Sequence, residues 1–366
     1  MPALPQLSGR QLLLLAIGLL AAGLVLLGLG VAAFALSSRG SGAKPAVSTT
    51  SLEGASMPAT GAGSSAAAAG SASTAASPRP APSAVPTPGV IAPAPAAASS
   101  LVGAYYGLGS WVDIYDDRAW NDPAAAVADM AGHGVRTLYL ETGNSRSAGE
   151  LFKSAQLRQF IAEAHAHDMK IVAWYLPDMT DPAKDFARVN AAIQLRTPDG
   201  QKFDSFALDI ESGAVKTQQA RNRTLMTLSR QIRDAAGPSY PLGAITPSPV
   251  GLSRKGSYWS RFPYSELAGI YDVFLPMGYY TYHGKGAKLA YSDTVGNARI
   301  IRAQPGCSAI PIHMIGGEAE KTTTAEVAAF VRGARDVGCV GASLYGWAGT
   351  KADSWQALQG VGAGKP

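Results

Sequence analysis

The chain has 366 residues, a formal net charge of +5, 41 glycines, 24 prolines and two cysteines. The positive excess is small and forms no basic tract, which argues against a nucleic-acid-binding surface. Two cysteines without nearby histidines make a poor metal-ligand set. No G-x-x-x-x-G-K-[ST] or G-x-G-x-x-G context calls for a nucleotide, and nothing in the composition calls for another cofactor.

Residues 1–11 are a short N-terminal segment. Residues 12–36 carry no charge and are nearly all Leu, Ala, Gly, Val, Ile and Phe. At a rise of about 1.5 Å per residue, such a run spans a bilayer core of roughly 30 Å. It is longer than the roughly 7–15 apolar residues of a cleaved export signal. An uncleaved transmembrane signal anchor is therefore favoured, while Ala33-Phe34-Ala35 leaves a cleavage-like site open. Residues 37–100 are almost entirely Ala, Ser, Pro, Gly and Thr. They bury too little apolar surface to offset ordering entropy, so a disordered linker is expected. A flexible coil of this length reaches roughly 40–50 Å and would hold a domain off a membrane. The barrel is then expected outside the cytoplasm, at the cell surface or in the periplasm, or secreted if the N-terminal segment is cleaved.

Residues 101–362 hold 26 Lys and Arg against 25 Asp and Glu. Their number suits one eight-stranded barrel. Eight short apolar runs recur, at 101–108, 135–141, 170–176, 203–211, 241–245, 271–280, 310–315 and 340–347. Helical segments separate them, with readable ends. Asp122-Pro123 is an N-cap followed by proline, and that helix runs to His133 before Gly134. Residues 151–168 place Leu157, Phe160, Ile161 and Ala164 at helical spacing. Asp181-Pro182 opens the next helix, and 217–235 carries Leu225, Leu228 and Ile232 on one stripe. Thr323 and Glu326 fit a capping box before a helix over 327–337 that stops at Gly338. Residues 246–268 read as a loop insertion over the barrel mouth. Strands alternating with helices predict an α/β fold, a (β/α)8 TIM barrel.

In such a barrel the residues closing each strand converge on one face. Run 203–211 is the most informative. With period two, Phe206, Leu208 and Ile210 point one way, and Ala207, Asp209 and Glu211 the other. Two carboxylates roughly 6–7 Å apart on one strand face raise each other's proton affinity, which suits a general acid for glycosidic cleavage. Glu141 closes the second run and Asp178 follows the third. Tyr279 and Tyr280 close the sixth, Trp347 the eighth, and Tyr106 and Trp111 lie on or just after the first. Aromatic platforms beside acids suit a sugar, whose C–H faces stack while its hydroxyls meet carboxylates.

Asp204, Asp209 and Glu211 match three of the four acids in D-x-x-D-x-D-x-E, the strand-four signature of family 18 glycoside hydrolases. Met277-Gly278-Tyr279 looks like the start of their M-x-Y-D motif on strand six, and Trp347 falls where they close strand eight with a Trp. The chain thus resembles chitinase-type barrels, and uncharacterised secreted bacterial barrels called glycoside-hydrolase-like. The resemblance implies Glu211 as general acid. Asp209 would orient a substrate N-acetyl group acting as internal nucleophile, and Tyr279 would assist by hydrogen bonding. Two positions depart: the second acid is Ala207, and the acid ending M-x-Y-D is Tyr280. The leading expectation is a membrane-tethered hydrolase of an extracytoplasmic polysaccharide. The departures motivate the alternative, a carbohydrate-binding barrel without catalysis.

Other residues read more plainly. Glu318, three residues beyond the seventh run, reads as a loop acid. His313 reads as a satisfied core histidine, and His165 and His167 as helix-surface residues. Cys307 and Cys339 precede consecutive strands, whose neighbouring starts would let them form a disulfide outside the cytoplasm.

Overall fold

A computed structural model describes residues 101–362. The apolar run 12–36 and the linker 37–100 lie outside the described residues. Among the described residues no helix is long and apolar enough to cross a membrane.

Eight parallel strands form the sheet: β1 Gly107–Val112, β2 Thr137–Asn144, β3 Lys170–Leu176, β4 Ser205–Asp209, β5 Leu242–Thr246, β6 Val273–Pro276, β7 His313–Glu318 and β8 Gly341–Tyr345. Their order runs β6-β5-β4-β3-β2-β1-β8-β7. Two isolated parallel bridges, Phe274 to Ile312 and Met277 to Ile315, bring β6 to β7 and close the barrel. The expected eight-stranded barrel is thus the one found.

Alternation along each strand divides the core in two. Phe206, Leu208, Leu138, Leu140, Phe274 and Met314 face outward into a cluster shared with the helices. Trp111, Tyr139, Trp174, Ala207, Leu275 and Ile315 face the barrel axis. The helix ends expected from sequence are present. Asp122 caps Pro123–Gly132 and Asp181 caps Pro182–Gln194, each accepting a backbone N–H with proline in the first turn. Thr323 and Glu326 form a capping box on Thr324–Asp336.

Several strands are displaced from the expected runs: β2 continues to Asn144 and β6 stops at Pro276. The run 101–108 is mostly floor: Gly103–Tyr105 is a 3-10 turn, and β1 begins only at Gly107. The Tyr105 hydroxyl bonds to Ser205 Oγ inside the barrel. Gly109 explains why the true strand was unreadable, because a Cβ there would stand 2.6 Å from the Tyr139 ring. Tyr106 consequently lies before β1, at the end of the barrel opposite the strand C-termini, and does not line the mouth. β7 runs three residues beyond its expected end, through Gly316-Gly317 to Glu318, with a register shift between Ile315 and Glu318. β8 stops at Tyr345, and Trp347 opens a separate 3-10 turn.

The expected disulfide is not formed. Both cysteines are free. The Cys307 thiol is directed at the Tyr264 carbonyl, 3.6 Å away. Burial pushes the Cys339 thiol up to about 12.

Candidate active site

The site is built on inward positions at the C-terminal ends of the strands. Its base is aromatic. Trp111 on β1 stacks on Tyr139 with ring centroids 4.2 Å apart and meets Trp174 edge-on at 5.9 Å. Trp111 Nε1 donates to Ser343 Oγ at 2.8 Å. The Ser343 hydroxyl lies 3.0 Å from His313 Nε2, and His313 Nδ1 lies 2.9 Å from the Tyr105 carbonyl. Burial lowers His313 to about 4, so it is a neutral core residue, as its place within the seventh apolar run suggested, although it opens β7. Trp111 is buried in this stack rather than offered to a ligand.

Above the aromatic layer sit the acids. Glu141 does not close β2, which runs three residues further to Asn144 with a register shift after it; the side chain is buried. It accepts from the Ile114 backbone N–H at 3.0 Å and from Asn144 Nδ2 at 3.2 Å. Burial, with Asp113 and Glu211 nearby, pushes its carboxyl up to about 8. Asp209 closes β4 at only 7% exposure. Burial first, then the charges of Glu211 and Glu141, hold it well above the usual carboxylate range. Its Oδ1 has no hydrogen-bond partner among the described residues. Glu211, two residues on, keeps access to solvent, while the protein around its other sides raises its proton affinity. The period-two reading holds along β4 itself, where Phe206 and Leu208 are packed outward and Ala207 and Asp209 face in; the strand ends there, and Glu211 follows two residues beyond it.

Tyr279, just past β6, adopts a left-handed backbone with φ of 38°. This turns its ring toward Tyr282 at 5.6 Å and Tyr345 at 6.2 Å. Burial raises its phenol, and so do Glu211, Asp209, Tyr282 and Glu318, so this ring faces acids from both β4 and β7. The same turn sends Tyr280 outward. It is buried against Phe330 of the helix layer, 6.1 Å between centroids, and leaves the mouth.

Trp347 also leaves the site. Its Nε1 donates to Asp129 Oδ2 at 2.8 Å, and the Arg118 guanidinium covers its ring at 4.3 Å. Tyr345 takes the inward place, with its hydroxyl donating to Asp113 Oδ2 at 2.8 Å. Asp178 caps its own turn, accepting from Thr180 N at 2.9 Å and Thr180 Oγ1 at 2.6 Å. Burial works against it, but bonds from Thr180 and Ser145 hold its carboxyl below the usual range. Asp204, the first acid of the signature, sits at the opposite barrel end, paired with Lys170 at 2.9 Å and His165 at 3.0 Å.

One group was misplaced by the sequence reading and two were not singled out by it. Glu318 closes β7 rather than lying in a loop. It is buried, accepts from the Tyr282 hydroxyl at 2.8 Å and pairs with Lys321. Tyr282, 53% exposed, and Tyr258, 46% exposed, are the exposed large hydrophobic residues among those described. Tyr258 comes from the 246–268 insertion, and its hydroxyl donates to the Glu211 carbonyl at 2.9 Å. No spacing rule marks either tyrosine; for Tyr258 the insertion itself was the available signal. No grouping of three or more His, Cys, Asp or Glu among the described residues is arranged to hold a metal.

No protein-family model matches the chain, and no curated protein sequence matches it. Solved structures do match its fold. A chitinase from Bacteroides thetaiotaomicron is 13% identical with a TM-score of 0.53, covering 70% of this chain and 95% of that one. A family GH18 chitinase from Cycas revoluta, in complex with allosamidin, is 11% identical with a TM-score of 0.51, over 69% and 99% of the two chains. An endo-β-1,4-mannanase from Thermotoga petrophila is 12% identical with a TM-score of 0.51, over 67% and 69%. The chain therefore shares the eight-stranded α/β barrel fold of these enzymes, and the likeness is one of fold.

Proposed function

We propose that residues 101–362 are the hydrolytic domain of a membrane-tethered, extracytoplasmic protein that cleaves a polysaccharide, with Glu211 as general acid. The observation that carries this reading is the pair Asp209 and Glu211 at the C-terminal end of β4, both with raised proton affinity. A carboxyl that holds its proton more tightly than usual can hand it to a departing glycosidic oxygen, and solvent access lets Glu211 reach that oxygen. Glu318 or water takes the second role at the anomeric carbon, and Tyr279 hydrogen-bonds beside them. Tyr258 and Tyr282 stack on the sugar faces, a task for which Trp111, Tyr106 and Trp347 are unavailable. The apolar run and the linker motivate the tether.

Glu211→Gln keeps the shape and removes the proton. Turnover on a panel of chromogenic glycosides should fall by about 10²–10⁴-fold while sugar binding persists. Wild-type turnover in that variant would sink the assignment. A second reading, a carbohydrate-binding barrel without catalysis, is favoured by Ala207 in place of the second acid, beside an Asp209 oxygen left without a partner. Binding without turnover across the panel would select it.

A further inference from the structure

Glu211 lies beyond the sheet that would otherwise fix it. β4 ends at Asp209, and the Ile210 N–H makes one further bond to β5, at the Ile245 carbonyl, 2.8 Å away. From Ile210 to Thr217 the chain is in neither strand nor helix. A general acid works only when its carboxyl is held against the leaving oxygen, so this segment needs support from elsewhere. Two elements supply it. From the 246–268 insertion, the Tyr258 hydroxyl donates to the Glu211 carbonyl at 2.9 Å. From the following helix, Gln218–Ala236, comes Arg221, only 3% exposed. Its guanidinium donates to the Val215 carbonyl at 2.8 and 3.1 Å, to the Gly213 carbonyl at 3.4 Å and to the Tyr258 carbonyl at 3.1 Å. It also lies 5.4 Å from the Tyr258 ring centre and 4.6 Å from that of Trp259. One planar fork thus ties the segment after β4 to the insertion, which a lysine could not do. The same helix holds the insertion further along. Asn222 accepts from Trp259 Nε1 at 2.7 Å and donates to the Arg261 carbonyl at 2.8 Å, while Gln218 accepts from the Arg261 N–H at 2.9 Å. Tyr258 is therefore anchored at its backbone while its ring stays 46% exposed.

We propose that Arg221 and Tyr258 form a clamp that positions Glu211, and that Tyr258 joins sugar binding to acid placement. The proposal rests on the glycosidase reading and adds the residues that set its acid. The two ends of the Tyr258 side chain divide the work. Its exposed ring takes a sugar face, and its hydroxyl fixes the main chain of the acid, so a sugar stacked there meets a carboxyl at a set distance. Arg221 touches neither sugar nor acid side chain; it acts through the two segments it ties. Its buried charge is met by carbonyls of both, so loosening either leaves donors unmatched, and this keeps the clamp closed. The clamp also keeps Glu211 among the groups its charge acts on. These are Asp209 on β4, Glu141 on β2, Tyr258 on the insertion, and Tyr279 and Tyr282 beyond β6. Released from the clamp, the carboxyl gains water and holds its proton less tightly. A general acid must carry its proton, so the alkaline limb of the pH profile then moves to lower pH.

The test uses the full chain in detergent and a chromogenic glycoside that the wild type turns over and Glu211→Gln does not. Tyr258→Phe keeps the ring and removes the hydroxyl. Its kcat should fall by about 10–100-fold, with KM and melting temperature close to wild type and the alkaline limb at lower pH. Tyr258→Leu, which also removes the ring, should raise KM as well. Arg221→Lys should reproduce the kcat loss and the limb shift of Tyr258→Phe, and the double variant should lose little more than either alone. Wild-type kcat and an unmoved limb in Tyr258→Phe would overturn the clamp and leave the glycosidase reading standing. So would a loss confined to KM, or losses that add in the double variant. If Arg221→Lys does not fold, Tyr258→Phe decides the matter by itself. Absence of Glu211-dependent turnover on every glycoside of the panel would overturn both readings.

Discussion

Glu141 is buried on β2 with its carboxyl pushed up from 4.5 to about 8, chiefly by loss of water around it. A folded-state value above the unfolded one means the native protein binds the extra proton. Its stabilising contribution is complete below about 4.5 and is lost as pH rises through about 8. Asp209 is raised for the same cause and adds with the same sign. The slope of stability with pH approaches about 1.4 kcal/mol per pH unit for each such group. Denaturant unfolding should therefore show a less stable protein at the upper end of this window than at the lower. Glu141→Gln should flatten the dependence, and a slope unchanged by that variant would contradict the burial argument. Asp209 and Glu211 act on one another, so losses of turnover from Asp209→Asn and Glu211→Gln should not add.

At the scale of elements, the barrel interior is fitted by exchanging large residues against glycines on facing strands. A Cβ at Gly243 on β5 would stand 2.6 Å from the Tyr105 hydroxyl and 2.7 Å from Leu275 Cδ1. Gly243→Ala should cost about 1–3 kcal/mol through overpacking. Tyr105→Phe removes the hydroxyl that is struck, so the double variant should recover part of the loss. Urea midpoints of the two single variants and the double variant measure the coupling, and strict additivity would place the strain elsewhere. The helix Thr324–Asp336 offers a simpler test. Thr323→Ala breaks its capping box and should cost about 1 kcal/mol. The register shift in β7 matters more for function, because a local irregularity re-aims side chains at a strand end. Here it accompanies the placing of Glu318 level with Tyr345.

The whole molecule joins an apolar run, a low-complexity linker and the barrel. If residues 12–36 remain attached, the protein should sediment with membranes, and protease cutting within 37–100 should release a soluble barrel. Recovery only of a soluble extracellular form starting near Leu36 would favour cleavage. The cysteines give a second handle on the barrel. Non-reducing peptide mapping should find no bridge between Cys307 and Cys339. Burial raises both thiols, so alkylation near neutral pH should be slow until the protein is unfolded.

Local chemistry in the sequence was enough to determine the alternation of strands and helices, most helix ends and the two faces of β4. Caps act over three or four residues and strand parity over two, so Asp122, Thr323, Asp209 and Glu211 announce themselves without knowledge of their neighbours. The mouth was a different matter. Tyr280 and Trp347 were expected there, but the left-handed turn at Tyr279 and the end of β8 at Tyr345 carry them into the helix layer. Tyr106 was assigned to a strand that begins one residue later, because its apolar neighbours plug the floor, while Gly107 and Gly109 carry no pattern to read. Glu318, Tyr258 and Tyr282 meet the candidate site only because β4, β7 and two loops close around one axis. Which acids share a dehydrated space, and which find a cation, is settled by contacts across that axis, and no local periodicity encodes them.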